Sequence, residues 1–185
     1  MKYEELSKSI LCKKYHNMLA RCSEEYWDKY DNSYRGTKIC DEWLYNKYAF
    51  YDWVNDGQYY KIDGEREVHL DKDVLSQVKG YEEKIYSPDT CLFLPDRINT
   101  FLGSCRRNLK TGLPLYVEQI EYTEKYRIRN NKYGIVEVFD NWEDAWEEVR
   151  QHKEAEKIVM ADEYYHKHLI PKKVYDAVMS YEIKL

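Results

Sequence analysis

Residues 65 to 102 restrict the fold more than any other part of this chain, because they carry two strand signals and one helix signal in a fixed order. Apolar and polar side chains alternate over residues 68 to 71, which is the two-residue period of a half-buried strand. A turn rich in breakers leads to a second apolar run, residues 91 to 94, and Pro95 then stands where a helix begins. The segment therefore predicts a ββα unit.

This predicted unit carries side chains that suit chemistry on a phosphodiester. His69 and Asp71 are two residues apart, so they share the polar face of the first strand, and Asn99 lies on the flank of the helix stripe. A strand with His and Asp, packed against a helix with Asn, can hold one divalent metal against a phosphodiester. These residues are therefore the candidate site.

The remainder of the chain predicts an α+β protein. Apolar residues at helical spacing predict helices at residues 4–22, 24–30, 41–54, 142–149 and 171–179. Alternating runs separated by turn residues predict a three-stranded antiparallel meander at residues 115–120, 125–129 and 135–139. Asp140 and Glu143 have the spacing of a capping box before the helix that follows this sheet.

Four consecutive segments follow from this pattern. They are a helical N-terminal region at residues 1–64, the ββα unit at 65–105, the sheet with its helix at 106–160, and a C-terminal helix at 161–185. The aromatic residues of the N-terminal helices fall at core spacing, and base stacking is the alternative use for them.

The net charge of −5 repels a polyanion, so nucleic-acid binding would depend on local clusters of cations. Six basic residues form two such clusters, one in the linker after the ββα unit and one on the middle strand of the predicted sheet. They are Arg106, Arg107, Lys110, Lys125, Arg127 and Arg129. A solvated loop and a solvated sheet face would have the same composition, so both interpretations stay open.

The five cysteines are odd in number and lack a C-x-x-C pair, which is typical of reduced thiols in a cytosol. A zinc site using Cys22, Cys40 and Cys91 is the alternative interpretation. The sequence contains no apolar run of membrane-spanning length and no secretory signal at its start. We therefore expect a cytoplasmic protein without a membrane partner.

Four blocks of this sequence, in this order, resemble phage-encoded HNH-like proteins of the His-Me finger, homing-endonuclease class. The blocks are YHNMLARC at residues 15–22, ICDEW at 39–43, LDKD at 70–73 and IYSPDTCLFLPDRIN at 85–99. Residues 113 to 157 are similar to the sheet and helix of the Apetala-type DNA-binding domain that commonly follows in those proteins. The resemblance covers most of the chain, and its central block is the specific part.

The resemblance implies roles for individual residues. It places Asp71 and Asn99 on a magnesium or manganese ion, and it places Lys72 where the family has the histidine that activates water. A lysine with its usual pKa of about 10.4 is protonated at neutral pH and cannot accept that proton. His69, on the same strand face as Asp71, is the replacement base. The implied catalytic set is therefore His69, Asp71 and Lys72.

Two functions follow from the resemblance. In the first, the active site is degenerate, and the protein acts on DNA or RNA, or on a nucleic-acid enzyme, for example as a counter-defence inhibitor of a host nuclease such as a CRISPR effector. In the second, it is an active metal-dependent endonuclease. Lys72 favours the first function, whereas the retained Asp71 and Asn99 favour the second.

Overall fold

The computed structural model describes residues 1–29, 34–65, 67–105, 107–108, 110–129 and 137–185. The fold is mixed α+β, as the sequence predicts. Its contacts divide it into two compact units. The first unit contains Met1–Asp96 and Tyr165–Tyr181, and the second contains Arg97–Tyr164 and Glu182–Leu185.

The first unit begins with helices that bury aromatic and aliphatic side chains. They are α1 (Lys8–Arg21), α2 (Glu24–Lys29), α3 (Asp41–Tyr45) and α4 (Lys47–Asn55). On α1, Leu11, Tyr15 and Met18 follow one another at helical spacing and are buried. These positions of the predicted stripe are core, whereas Ile10, which belongs to the same stripe, is 43% exposed.

The single helix predicted from residue 41 is two helices, because Asn46 interrupts it. The Asn46 side-chain oxygen accepts a hydrogen bond from the backbone N–H of Tyr48 at 3.1 Å and so caps α4. Trp43 on α3 and Phe50 on α4 are fully buried, with ring centroids 5.1 Å apart. The aromatic residues at these positions therefore pack the core.

Short strands connect distant segments of the first unit. β1 (Lys2–Tyr3) pairs antiparallel with β3 (Tyr60–Lys61), and β2 (Lys38–Ile39) pairs parallel with β5 (Ile85–Tyr86). Two residues are too few for an alternating pattern to be recognised, and the sequence predicted none of these strands.

The predicted ββα unit is present. β4 (His69–Asp71) pairs antiparallel with β6 (Leu92–Leu94), and α6 (Asp96–Gly103) begins directly after Pro95. A short helix, α5 (Asp73–Val78), lies between the two strands where the sequence predicted a turn. The last helix of the first compact unit is α8 (Lys172–Ser180). It follows Pro171 as predicted and packs against α5 and β6.

The second unit contains the predicted meander. β7 (Val117–Gln119), β8 (Tyr126–Ile128) and β9 (Val138–Phe139) pair antiparallel in that order. The first part of the third predicted strand, residues 135 and 136, lies outside the described residues. Val117 and Ile128, which lie opposite each other, are buried at 4% and 7% exposure, so this face of the sheet is core.

α7 (Trp142–His166) follows the sheet and is longer than the predicted stripe. The residue that caps it is Asn141, one position after the predicted Asp140. The Asn141 side-chain oxygen accepts the backbone N–H of Asp144 at 2.8 Å, and the Asn141 amide donates to the Asp144 carboxylate at 2.7 Å. Asp140 instead pairs with Lys125, because its carboxylate lies 2.8 Å from that ammonium.

A buried lysine lies in the middle of α7. Lys153 is 1% exposed, donates to the Ser104 hydroxyl at 2.9 Å, and has its ammonium 4.5 Å from the ring centroids of both Phe101 and Tyr116. No carboxylate in the described part of the chain forms an ion pair with it. Aromatic faces therefore provide much of the compensation for this buried charge.

Two further observations concern the chain as a whole. No helix within the described ranges combines the length and apolar character needed to cross a membrane. All five cysteines are free thiols, including Cys22, Cys40 and Cys91.

Candidate functional site

The ββα unit brings His69 and Asp96 together. His69 begins β4 and Asp96 begins α6, and the imidazole Nε2 lies 2.9 Å from the Asp96 Oδ1. Their side chains are 43% and 31% exposed, so the pair is accessible to water. In the tautomer that carries its proton on Nε2, the Nε2–H group donates a hydrogen bond to the Asp96 carboxylate. Nδ1 then has a lone pair that can accept a proton from water. The pair therefore has the arrangement of an oriented general base.

Asp96 was missed in the sequence, although its position held a signal. It directly follows Pro95 at the start of a helix, where an acidic residue is common because it interacts favourably with the helix dipole. That ordinary structural explanation concealed the contact, since only the β4–β6 register brings His69 beside the end of the second strand.

The Asp71 side chain stabilises the start of α5, which begins two residues later at Asp73. Its Oδ1 accepts hydrogen bonds from the backbone N–H groups of Asp73 at 3.0 Å and Val74 at 2.9 Å. Burial, and next the neighbouring Asp73 carboxylate, raise the pKa of Asp71 to about 6, although these N–H groups and Lys72 oppose the shift. Asp71 thus has a structural role that the sequence did not reveal.

Lys72 is buried, with 3% of its surface exposed, and its ammonium is fully engaged. It lies 2.8 and 2.9 Å from the two oxygens of Asp73. The same ammonium is 5.0 Å from the ring centroid of Tyr34 and 5.4 Å from that of Tyr86. The ammonium thus contacts a bidentate carboxylate and two aromatic faces, and a protonated lysine has no lone pair with which to accept a proton.

Asn99 lies on α6, three residues after Asp96, and is half-buried. It belongs to the second compact unit, whereas Asp71 belongs to the first. Within the described ranges, no three His, Cys, Asp or Glu side chains gather as metal ligands. Metal binding by Asp71 and Asn99 stays a prediction.

The three predicted cations of the sheet each lie beside a carboxylate. Lys125 pairs with Asp140 at 2.8 Å, and Glu118 on β7 lies 2.6 Å from Arg127 and 3.6 Å from Arg129. The two arginine side chains are 59% and 64% exposed. The cations are therefore accessible, but much of their charge is already balanced.

The linker contributes two described cations. The Arg107 guanidinium lies 4.6 Å from the ring centroid of Trp142 and donates to the backbone oxygen of Gly112 at 2.9 Å. Lys110 is exposed, and its backbone N–H donates to the Asn108 side chain at 2.9 Å. Arg106, the third predicted cation of this linker, lies outside the described residues.

The first unit thus holds His69 paired with Asp96, and separately Asp71 at the start of α5. The second unit holds exposed Arg127 and Arg129 beside Glu118. No family model, curated protein sequence or solved structure matches this chain.

Proposed function

We propose that this protein binds nucleic acid and that its HNH-like ββα unit is a scaffold that no longer cuts. The observation that carries this proposal is the environment of Lys72, the residue at the position where the resembled family has its base. Its ammonium is buried against Asp73, Tyr34 and Tyr86. To act as a base, it would have to lose its proton and leave the Asp73 carboxylate without a partner.

Exposed ion pairs on the sheet are compatible with binding to phosphates. A pair between exposed side chains contributes about 0 to 1 kcal/mol, so a phosphate oxygen can replace the carboxylate at small cost. Arg127 and Arg129 share one carboxylate, which leaves donor capacity on both guanidinium groups. We propose that this face of the sheet, together with Arg107 and Lys110, contacts the phosphate backbone of DNA or RNA.

A second candidate, a metal-dependent nuclease, is favoured by the pair of His69 and Asp96. Magnesium or manganese bound by Asp71 and Asn99 would polarise a phosphodiester and stabilise charge on it. His69 would accept the proton of the attacking water, with Asp96 holding the ring in place. The fit to a metal is partial, because the Asp71 Oδ1 already accepts two backbone N–H groups.

A host nuclease as the partner would need a surface complementary to a basic protein. The acidic side of α7 is the candidate for such a surface, but carboxylates on it have partners within the helix. Glu147 pairs with Arg150 at 2.6 Å, and Glu154 pairs with Lys157 at 2.7 Å. These internal pairs reduce the field available to a basic partner, so direct binding to nucleic acid is the better supported form.

A cleavage assay separates the two candidates. The protein is incubated with supercoiled plasmid and with structured RNA in magnesium, manganese or EDTA, beside His69→Asn and Asp71→Ala. We expect no metal-dependent cleavage of either polymer. Nicking that requires the metal and disappears in both variants would contradict the scaffold proposal and establish the nuclease. Asp63→Asn, in an exposed turn, is the matched control.

A binding assay tests the nucleic-acid interface. Fluorescence anisotropy with labelled DNA and RNA measures affinity for the protein and for Arg127→Gln, which removes one proposed phosphate contact. We expect a several-fold loss of affinity and a salt dependence reduced by about one contact. Lys184→Gln removes an exposed cation from the C-terminal tail and should have a smaller effect. Absence of binding to either polymer would refute the proposal.

A further inference from the structure

Arg21 and Lys72 bring two positive charges to the same aromatic rings in the first unit. The Arg21 guanidinium lies 5.5 Å from the ring centroid of Tyr34, and the Lys72 ammonium lies 5.0 Å from that centroid. Both cations also contact Tyr86, whose phenol interacts with Arg21 and whose ring centroid is 5.4 Å from the ammonium. Aromatic faces attract cations without neutralising them. Two positive charges are therefore concentrated at these rings.

The two cations differ in how their charge is balanced. Lys72 is paired with the Asp73 carboxylate at 2.8 Å. Arg21 is half-buried, and it forms no ion pair with any residue that the structure describes. It ends α1, where a cation often bonds the last carbonyl groups of a helix, but its guanidinium donates to no described carbonyl. Apart from the contact with Tyr86, the five N–H donors of Arg21 are thus available to an oxyanion.

The titratable neighbours of Arg21 are neutral at pH 7. Burial raises the pKa of the Cys22 thiol to about 11, and burial also raises the pKa of the phenols of Tyr34 and Tyr86. The positive charge of Arg21 opposes each of these shifts, so all three groups lie close to it. None of them provides the negative charge that would balance the guanidinium.

A buried hydroxyl without a partner lies in the turn after Tyr34. Thr37 is 3% exposed, and its Oγ1 has no hydrogen-bond partner among the described residues. The backbone N–H of Thr37 donates to the Tyr34 carbonyl oxygen at 2.9 Å, so the two residues belong to one turn. A buried hydroxyl of this kind usually bonds to water or to a ligand. The turn therefore combines an unsatisfied hydroxyl with the ring that both cations contact.

We infer that the Arg21 guanidinium binds a phosphate group, with the positive charge of Lys72 beside it. This inference rests on the proposed function and adds a phosphate contact in a different unit from the sheet. A guanidinium presents its N–H groups as a planar fork that matches two oxygens of one phosphate, whereas an ammonium acts as a point charge. The phosphate belongs either to a nucleic-acid strand or to free phosphate in solution.

Fluorescence anisotropy with labelled DNA and RNA compares the full chain with Arg21→Lys and Arg21→Gln. We expect Arg21→Lys to lose affinity several-fold without a change in salt dependence, because lysine keeps the charge and loses the fork. Arg21→Gln should lose more affinity and reduce the salt dependence by about one contact. Arg150→Gln removes another half-buried arginine, one that is already paired with Glu147, and should have little effect.

Urea unfolding in inorganic phosphate, and in chloride at the same ionic strength, tests the site without a strand. Phosphate stabilises folded proteins in general because it is excluded from their surface, so the difference between variants is the measure. We expect phosphate to raise the unfolding midpoint of the natural protein and of Arg150→Gln more than that of Arg21→Gln, as for a ligand that binds only the folded state. The same curves show whether each variant is folded, and Arg21→Lys replaces Arg21→Gln if the latter is not.

The outcomes distinguish the source of the phosphate and the two proposals. Weaker binding of DNA or RNA by both Arg21 variants supports a strand as the source, whereas an effect of Arg21 on phosphate stabilisation alone supports free phosphate. No effect of the Arg21 variants in either assay overturns the phosphate site. If Arg127→Gln still weakens nucleic-acid binding in that case, the proposed function is intact. Phosphate stabilisation that requires Arg21, without any binding of DNA or RNA, refutes the proposed function alone.

Discussion

At the scale of single residues, Asp71 combines a favourable hydrogen-bonding role with an unfavourable charge. Its side-chain oxygen accepts the first backbone N–H groups of α5. Burial and the Asp73 carboxylate, however, raise the pKa of Asp71 to about 6, above the ordinary value of 3.8. The folded protein therefore binds more protons than the unfolded chain between about pH 4 and pH 6. Stability falls as the pH rises through this window, by at most about 3 kcal/mol for a shift of about two pKa units.

Asp71→Asn removes the charge while keeping a side-chain oxygen that can accept the N–H groups of Asp73 and Val74. We expect this variant to be more stable than the natural protein at pH 7.5, and the difference to disappear by about pH 4. Urea unfolding in EDTA at a series of pH values measures the effect. Asp63→Asn makes the same chemical change in an exposed turn and should give no such pH dependence. Equal stability at pH 7.5 would mean that the Asp71 charge is well compensated.

At the scale of elements, the sequence predicted those whose signals are local. α1, α2, α6 and α8 appear where periodicity and Pro or polar caps place them, and the meander pairs in the predicted order. The failures have distant causes. α5 packs against α8, about one hundred residues further along the chain, and the pairing of β1 with β3 joins residues almost sixty positions apart. Periodicity within one window cannot contain such information.

α7 shows the same limit within a helix. Lys153 follows Val149 by four residues on the buried side, so a helical pattern assigns an apolar residue where a lysine is present. The rings of Phe101 and Tyr116, which receive its ammonium, come from segments far from it in sequence. The burial of Lys153 could not be predicted from its neighbours.

Lys153→Met tests what the buried ammonium contributes to α7. Methionine keeps much of the side-chain volume and removes the charge, so we expect the free energy of unfolding to stay the same or to rise by about 1 kcal/mol. Lys153→Ala, which leaves a cavity, should lower it by roughly 2 to 4 kcal/mol. Urea unfolding compares the two variants. Equal destabilisation by both would show that the contacts of the ammonium with Ser104 and the two rings are net favourable.

At the scale of the whole molecule, each compact unit combines segments that are distant along the chain. α8 returns to pack on α5 and β6, and the C-terminal tail returns to the second unit, where the backbone N–H of Ile183 donates to Glu154 at 2.7 Å. The four predicted segments follow one another along the chain, so they could not indicate that the C-terminal residues join two different compact units. The candidate residues were recognised in the same partial way, because His69, Asp71 and Lys72 were identified, but the contacts of His69 with Asp96 and of Lys72 with Asp73 were not.

Because the net charge is −5, nucleic-acid binding depends on how far the cations of the sheet are neutralised by nearby carboxylates. Glu118 pairs with both Arg127 and Arg129, so Glu118→Gln would release two cations on one face. Under the proposed function, we expect tighter binding at low salt and a plot of log affinity against log salt that is steeper by about one to two. Glu121→Gln removes the same charge from the loop after β7, where no ion pair is described, and should produce only a slight gain. Equal gains from both variants would mean that overall charge governs binding and that this sheet face is not the interface.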